Sequence, residues 1–130
     1  MFNEEDFEIV HMYTRANALE DGVLINLNAI DEIADLVQSH YKFPVDLTES
    51  VWAIVCAAVD DDEGCNDLAG VIHDLLFMSK ACYEEINQSE RIFKVLIHLN
   101  GELKEYRFKA VFGPDETWAP VVTIMLPLED

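Results

Sequence analysis

The sequence predicts an α+β fold: an N-terminal helical half of about four helices packed on a C-terminal three-stranded antiparallel meander. Three observations predict it. Apolar residues recur at spacings of three and four between Asn28 and Ile86. From Arg91 the apolar period changes to two. Asn100-Gly101 then stands between two alternating runs, the strongest hairpin signal in the chain. A chain of 130 residues, 51% hydrophobic, is expected to form one domain over residues 1–130 and to fold without staples.

Residues 1–12 set Phe2, Phe7, Ile9, Val10 and Met12 among acids, as a short helical or irregular arm. The stretch from Tyr13 to Leu27 then reads as one unit around which the chain is organised. Thr14 is a helix cap for residues 14–21, Gly22 is the left-handed exit, and Val23, Leu24, Ile25 and Leu27 form an apolar run able to cross a core, with 23–27 read as a short strand or extended link. A second helix opens at Asn28, with Asp31 at its third position, where a negative charge suits the helix dipole. Ile30, Ile33, Ala34, Val37 and Tyr41 form its buried stripe, and Pro44 ends it. Thr48 caps a third helix, Glu49 to about Val59, apolar on nearly all sides and so expected to be central. Asp60-Asp61-Asp62-Glu63-Gly64 is the break. A fourth helix runs from about Asn66 to Ile86, with Gly70 as a close-packing point.

In the strand half, the Asn100-Gly101 turn pairs Leu99 with Glu102, and hence Val95 with Tyr106 and Phe93 with Phe108. The second strand spans about Leu103 to Phe112 and Gly113-Pro114-Asp115-Glu116 is a turn. The third strand, about Pro120 to Leu126, stops at Pro127.

The net charge is −18, and it is uneven. Residues 1–79 hold 17 acids and 2 bases, Arg15 and Lys42; residues 80–130 hold 9 acids and 6 bases. Such a charge repels nucleic acid and anionic membranes and attracts basic protein surfaces. No apolar run approaches the roughly 18 residues a bilayer span requires. The acidic N-terminus is unlike a secretory signal, so a cytoplasmic location is expected. Cys56, Cys65 and Cys82 are odd in number and lack a metal-type spacing, so buried reduced thiols are expected, with a Cys56–Cys82 contact left open.

The run Tyr13-Thr14-Arg15-Ala16 with Asp21-Gly22-Val23-Leu24, followed far downstream by Gly113-Pro114 and Ala119-Pro120-Val121-Val122-Thr123-Ile124-Met125-Leu126-Pro127, resembles a family of small acidic proteins of unknown function encoded on bacterial plasmids and phages. The resemblance covers nearly the whole chain in the order of its elements. It implies a mobile-element accessory protein of a bacterial cytoplasm, and it brings no catalytic residue with it.

The residues offer little chemistry. An EF-hand reading of Asp60-Asp61-Asp62-Glu63 fails because Cys65 stands where the loop glycine belongs. His11, His40, His73 and His98 are dispersed, without the spacing of a metal site. Cys82 with His98, or Cys56 with His73, could form a nucleophilic pair only with an orienting third group that nothing in the sequence supplies. Arg91, Lys94, Lys104, Arg107 and Lys109 are expected to form cross-strand ion pairs. Trp52 reads as core, while Trp118 either caps the sheet end or projects toward a partner.

The remaining feature is the acidic helical half. The candidate partner-binding residues are Asp31, Glu32, Asp35, Asp46, Glu49, Asp60, Asp61, Asp62, Glu63 and Asp67, with Trp118 as an apolar anchor. Natural surfaces mix charge signs, and a single-signed surface points to selection for a field. The expected function is therefore a non-enzymatic acidic binding protein of a mobile genetic element. It would act by DNA mimicry on a basic, nucleic-acid-handling or host-defence protein, with no cofactor and no metal. One alternative is a ligand-binding or enzymatic domain with a pocket between the long helix and the sheet, near Cys82, His73 or His98. Another is a self-associating accessory that pairs through a sheet edge or Trp118 as a homodimer.

Overall fold

The computed structural model describes residues 13–62 and 64–129. The expected N-terminal arm, Glu63 and Asp130 lie outside them. The elements in chain order are helix α1 (Arg15–Glu20), strand β1 (Leu24–Asn26), a 3-10 turn (Leu27–Ala29), α2 (Ala34–His40), β2 (Val45–Thr48), α3 (Glu49–Asp60), α4 (Leu68–Ala81), β3 (Tyr83–Glu85), β4 (Glu90–Leu99), β5 (Glu102–Pro114) and β6 (Pro120–Met125).

The six strands of the described residues form one mixed sheet in the order β1-β2-β6-β5-β4-β3. This corrects the expected helical half packed on a three-stranded meander, although the short strand expected within 23–27 is present as β1. The meander β4-β5-β6 exists, with the hairpin register read from Asn100-Gly101: Leu99 faces Glu102, Val95 faces Tyr106 and Phe93 faces Phe108. The helical half, however, contributes three strands of its own. β2 joins β6 in parallel, Val45 beside Val122 and Leu47 beside Ile124, and β1 pairs antiparallel with β2. β3 pairs with the start of β4, Glu84 opposite Ile92.

Each correction has a physical cause. β2 is four residues long and fully buried, so Val45-Asp46-Leu47-Thr48 shows no amphipathic alternation. The expected helix from Asn28 is divided instead: Asn26 caps the 3-10 turn, and α2 begins only at Ala34. Asp31 and Glu32 therefore sit in the turn before α2. α4 ends at Ala81 rather than Ile86, because the Cys82 amide closes the last turn on Met78 and the chain then pairs with β4. Tertiary pairing here overrides the helical propensity of Glu84 and Glu85.

The anchoring unit behaves as its sequence indicates at its caps. The Thr14 hydroxyl accepts from the Asn17 amide, and Gly22 adopts φ +78°, a conformation open to glycine. Its apolar run forms a short, half-buried edge strand and does not cross the core. Gly70 is exposed; an added Cβ would meet the capping Asp67 carboxylate at 2.7 Å, so the glycine makes room for a cap and not for a packed neighbour.

One face of the sheet holds the core. Val45 and Leu47, Val122 and Ile124, Phe108 and Ala110, and Phe93, Val95 and Ile97 point to it by strand alternation. Against them lie Val37 of α2, Val51, Val55 and Ala58 of α3, and Val71, Ile72, Leu75 and Leu76 of α4. The Phe93 and Phe108 rings sit 5.8 Å apart at its centre. Helices α2, α3 and α4 thus form a single layer on one face, and their solvent sides share one surface. Trp52, expected in the core, packs on its margin half-buried.

Candidate functional site

The helical layer carries most of the predicted carboxylates outward. Asp31, Glu32 and Asp35 are exposed at the start of α2, and Glu49 at the start of α3. Asp60 and Asp62 are exposed at and just past the end of α3. Asp67 is exposed and caps α4, its carboxylate accepting from the Gly70 amide at 2.7 Å. Asp74 on α4 adds another exposed acid. The bases of this layer are Lys42 and Lys80, and Lys80 donates to the His40 carbonyl.

Two predicted members are withdrawn from that surface. Asp46 is completely buried in β2 on the opposite face of the sheet. Asp61 is half-buried, its Oδ2 accepting from the Asn100 amide at 2.9 Å, so it ties the end of α3 to the β4–β5 turn.

The bases of the sheet do not compensate the layer. Among the described residues, Lys94 of β4 pairs with Glu105 of β5 and Lys109 of β5 with Glu90 of β4, while Lys104 pairs with Glu102 within β5. Arg15 pairs with Asp46 and lies near Asp115. The Arg91 guanidinium is stacked between the rings of Tyr83, at 3.9 Å, and Phe112, at 4.5 Å, and donates to the Ser79 carbonyl. None of these ion pairs reaches the exposed acids of α2, α3 or α4.

The opposite face centres on Arg15. Its Nε donates to Asp46 Oδ2 at 2.6 Å and its Nη2 to Oδ1 at 2.9 Å, a two-point pair that raises the guanidinium pKa further. Asp115 stands 3.8 Å from the same guanidinium. Hydrogen bonds from the Thr117 hydroxyl and amide, then from the Ala119 amide, hold its carboxyl below the usual range. Glu116 accepts from the Ala16 amide, so α1 is fastened to the β5–β6 turn. Trp118 on that turn is 84% exposed at φ +66°. It projects into solvent and does not cap the sheet. Arg15 was not among the predicted site residues; its signal was that it is the lone base before Lys42.

His40 and His73 meet on the helical layer, Nε2 to Nδ1 at 3.1 Å, and His73 stacks on Phe77. Burial, then Lys80 and His73, lower the His40 pKa. Among the described residues no three His, Cys, Asp or Glu side chains converge as a metal cage. Cys65 and Cys82 are exposed and Cys56 is half-buried, all as free thiols, which corrects the expectation of buried cysteines. A groove of about 1140 Å³ lies between α4 and β4. Cys82 lines it; His73 and His98 do not. Among the described residues no helix is long and apolar enough to cross a membrane.

No solved structure matches the chain. The model of a family of unknown function, DUF6573, matches residues 1–130, and the chain belongs to that family.

Proposed function

We propose that this family member is a non-enzymatic binding protein whose helical layer presents a negative surface to a basic protein. One observation carries the reading: the sheet's lysines pair with sheet carboxylates and Arg15 pairs with a buried one, while Asp31, Glu32, Asp35, Glu49, Asp60, Asp62 and Asp67 stay exposed on one side. Fixed like charges oppose folding, and their retention on one layer favours a role for the field. B-DNA presents about one negative charge per 1.7 Å of axis, so a basic nucleic-acid cleft is the surface such an array suits.

The partner class follows from the resemblance to acidic proteins of plasmids and phages. In that setting the basic protein is a nucleic-acid-handling or host-defence protein of a bacterial cytoplasm, and the action is occlusion of its cleft. Direct nucleic-acid binding is disfavoured by the net charge of −18. Trp118 is a separate exposed anchor at the sheet end.

The test is capture from a bacterial lysate at low salt with elution by a salt gradient. Wild type is compared with Asp31→Lys, Glu32→Lys and Asp35→Lys combined. Basic proteins that elute from wild type and are lost from the variant support the reading. The same proteins eluting from both columns at the same salt contradict it.

A further inference from the structure

β4 is only partly covered by β3: the pairing stops where Tyr83 meets Phe93. Two hydrogen bonds fix which groups face the uncovered edge. The Glu90 carbonyl accepts from the Ile86 amide, and the His98 carbonyl accepts from Asn66 Nδ2 at 2.7 Å. Both lie on the side away from β5. Successive residues of a strand aim their backbone groups to opposite sides, so Leu96, in step with Glu90 and His98, turns its N–H and C=O to that same edge. Asn66 closes the far end, together with the Asp61 bond to Asn100. Between β3 and this plug, no strand of the described residues lies beside the edge at Leu96.

The groove of about 1140 Å³ runs along this edge. Phe77 and Ala81 of α4 form one wall, and Tyr83 and Leu96 supply exposed apolar surface on the other. Phe77 is 49% exposed and Leu96 59%. An unpaired strand edge beside a helix is a geometry that receives an extended peptide as an added strand.

We propose that this groove binds an extended segment of the basic partner, which adds as a strand to β4 at Leu96. The inference rests on the function proposed above for the partner's charge, and on the sheet edge for the segment's conformation. The chemistry of the segment follows from the walls. Apolar residues at alternate positions lie on the helical face of the sheet beside Phe77 and Ala81, and the residues between them lie on the other face beside Leu96. The charges around the groove are balanced, Asp74, Glu84 and Glu105 against Lys80, Lys94 and Arg107, so the centre of the segment is uncharged. Its flanks are basic, because the whole molecule carries −18. The same charge disfavours a second copy of this chain as the occupant, since two such copies repel.

The probe is an end-blocked peptide, Lys-Lys-Val-Thr-Val-Thr-Val-Lys-Lys, with amide hydrogen exchange read by NMR on the full chain. The peptide is expected to slow exchange of the Leu96 amide on the order of tenfold or more, the scale of one added hydrogen bond. Phe77→Glu, an exposed helix position, removes the effect with the fold intact. A peptide with proline at the central valine fails to protect. The inference is overturned if no peptide protects Leu96, if the proline peptide protects equally, or if the amide becomes protected by raising protein concentration alone. An acidic-flanked peptide that protects as well as the basic one overturns the basic-partner reading while leaving β4 as the docking edge. Loss of peptide binding with intact salt-dependent capture overturns the groove alone.

Discussion

Arg15 closes a two-point ion pair on Asp46 across 31 residues of sequence, at 2.6 and 2.9 Å, over a carboxylate with no solvent exposure. The pair fastens α1 to β2 on the sheet face opposite the helical layer. It also explains why this base does not neutralise the exposed acids. Each guanidinium bond is spoken for by a group that would otherwise be a buried, uncompensated charge.

Arg15→Ala is expected to cost about 3 kcal/mol in urea-unfolding stability, because it strands the Asp46 carboxylate. Arg15→Lys recovers only part, since an ammonium cannot form the two-point pair. The double variant Arg15→Leu with Asp46→Leu costs less than Arg15→Ala alone. Equal losses for all three would show that the pair is not the source.

Stability should fall with acid through His40. Burial, first, and then Lys80 and His73 lower its folded pKa below the ordinary 6.5. The unfolded chain therefore takes up the proton first as pH falls. The contribution is full above pH 6.5 and is lost as pH falls through the folded value. His40→Asn should flatten the urea-midpoint profile in that window, and an unchanged slope would assign the pH dependence elsewhere.

Trp118→Gly should raise the melting temperature slightly. A bulky residue at φ +66° sits in a region that costs an L side chain about 1–2 kcal/mol, and glycine relieves it. The same variant removes the tryptophan emission most accessible to acrylamide, leaving the partly shielded Trp52. A large destabilisation would mean that the ring is packed.

Thiol labelling should divide the cysteines. Cys65 and Cys82 are exposed and react fast; Cys56 is half-buried, and burial and then Asp60 raise its pKa, so it reacts slowly. Three equal rates would contradict this arrangement.

What the sequence disclosed was local. The Thr14 cap, the Gly22 exit and the Asn100-Gly101 register each depend on residues within a few positions, and the structure has all three. What it concealed was nonlocal. β2 is a strand because Val122 and Ile124 wait beside it, far along the chain, and β3 because β4 offers an edge. The acidic surface was legible as composition but not as geometry. Asp46 and Asp61 look like the other acids in sequence, and partners distant in the chain, Arg15 for Asp46 and Asn100 for Asp61, draw them in from the exposed set.

The most direct measurement is the association rate with a captured basic partner as a function of ionic strength. Wild type is set against the combined Asp31→Lys, Glu32→Lys and Asp35→Lys variant. The account predicts a fast wild-type rate that drops steeply with added salt, and a slower variant rate with a shallower dependence. Identical rates and identical salt slopes for the two proteins would contradict it.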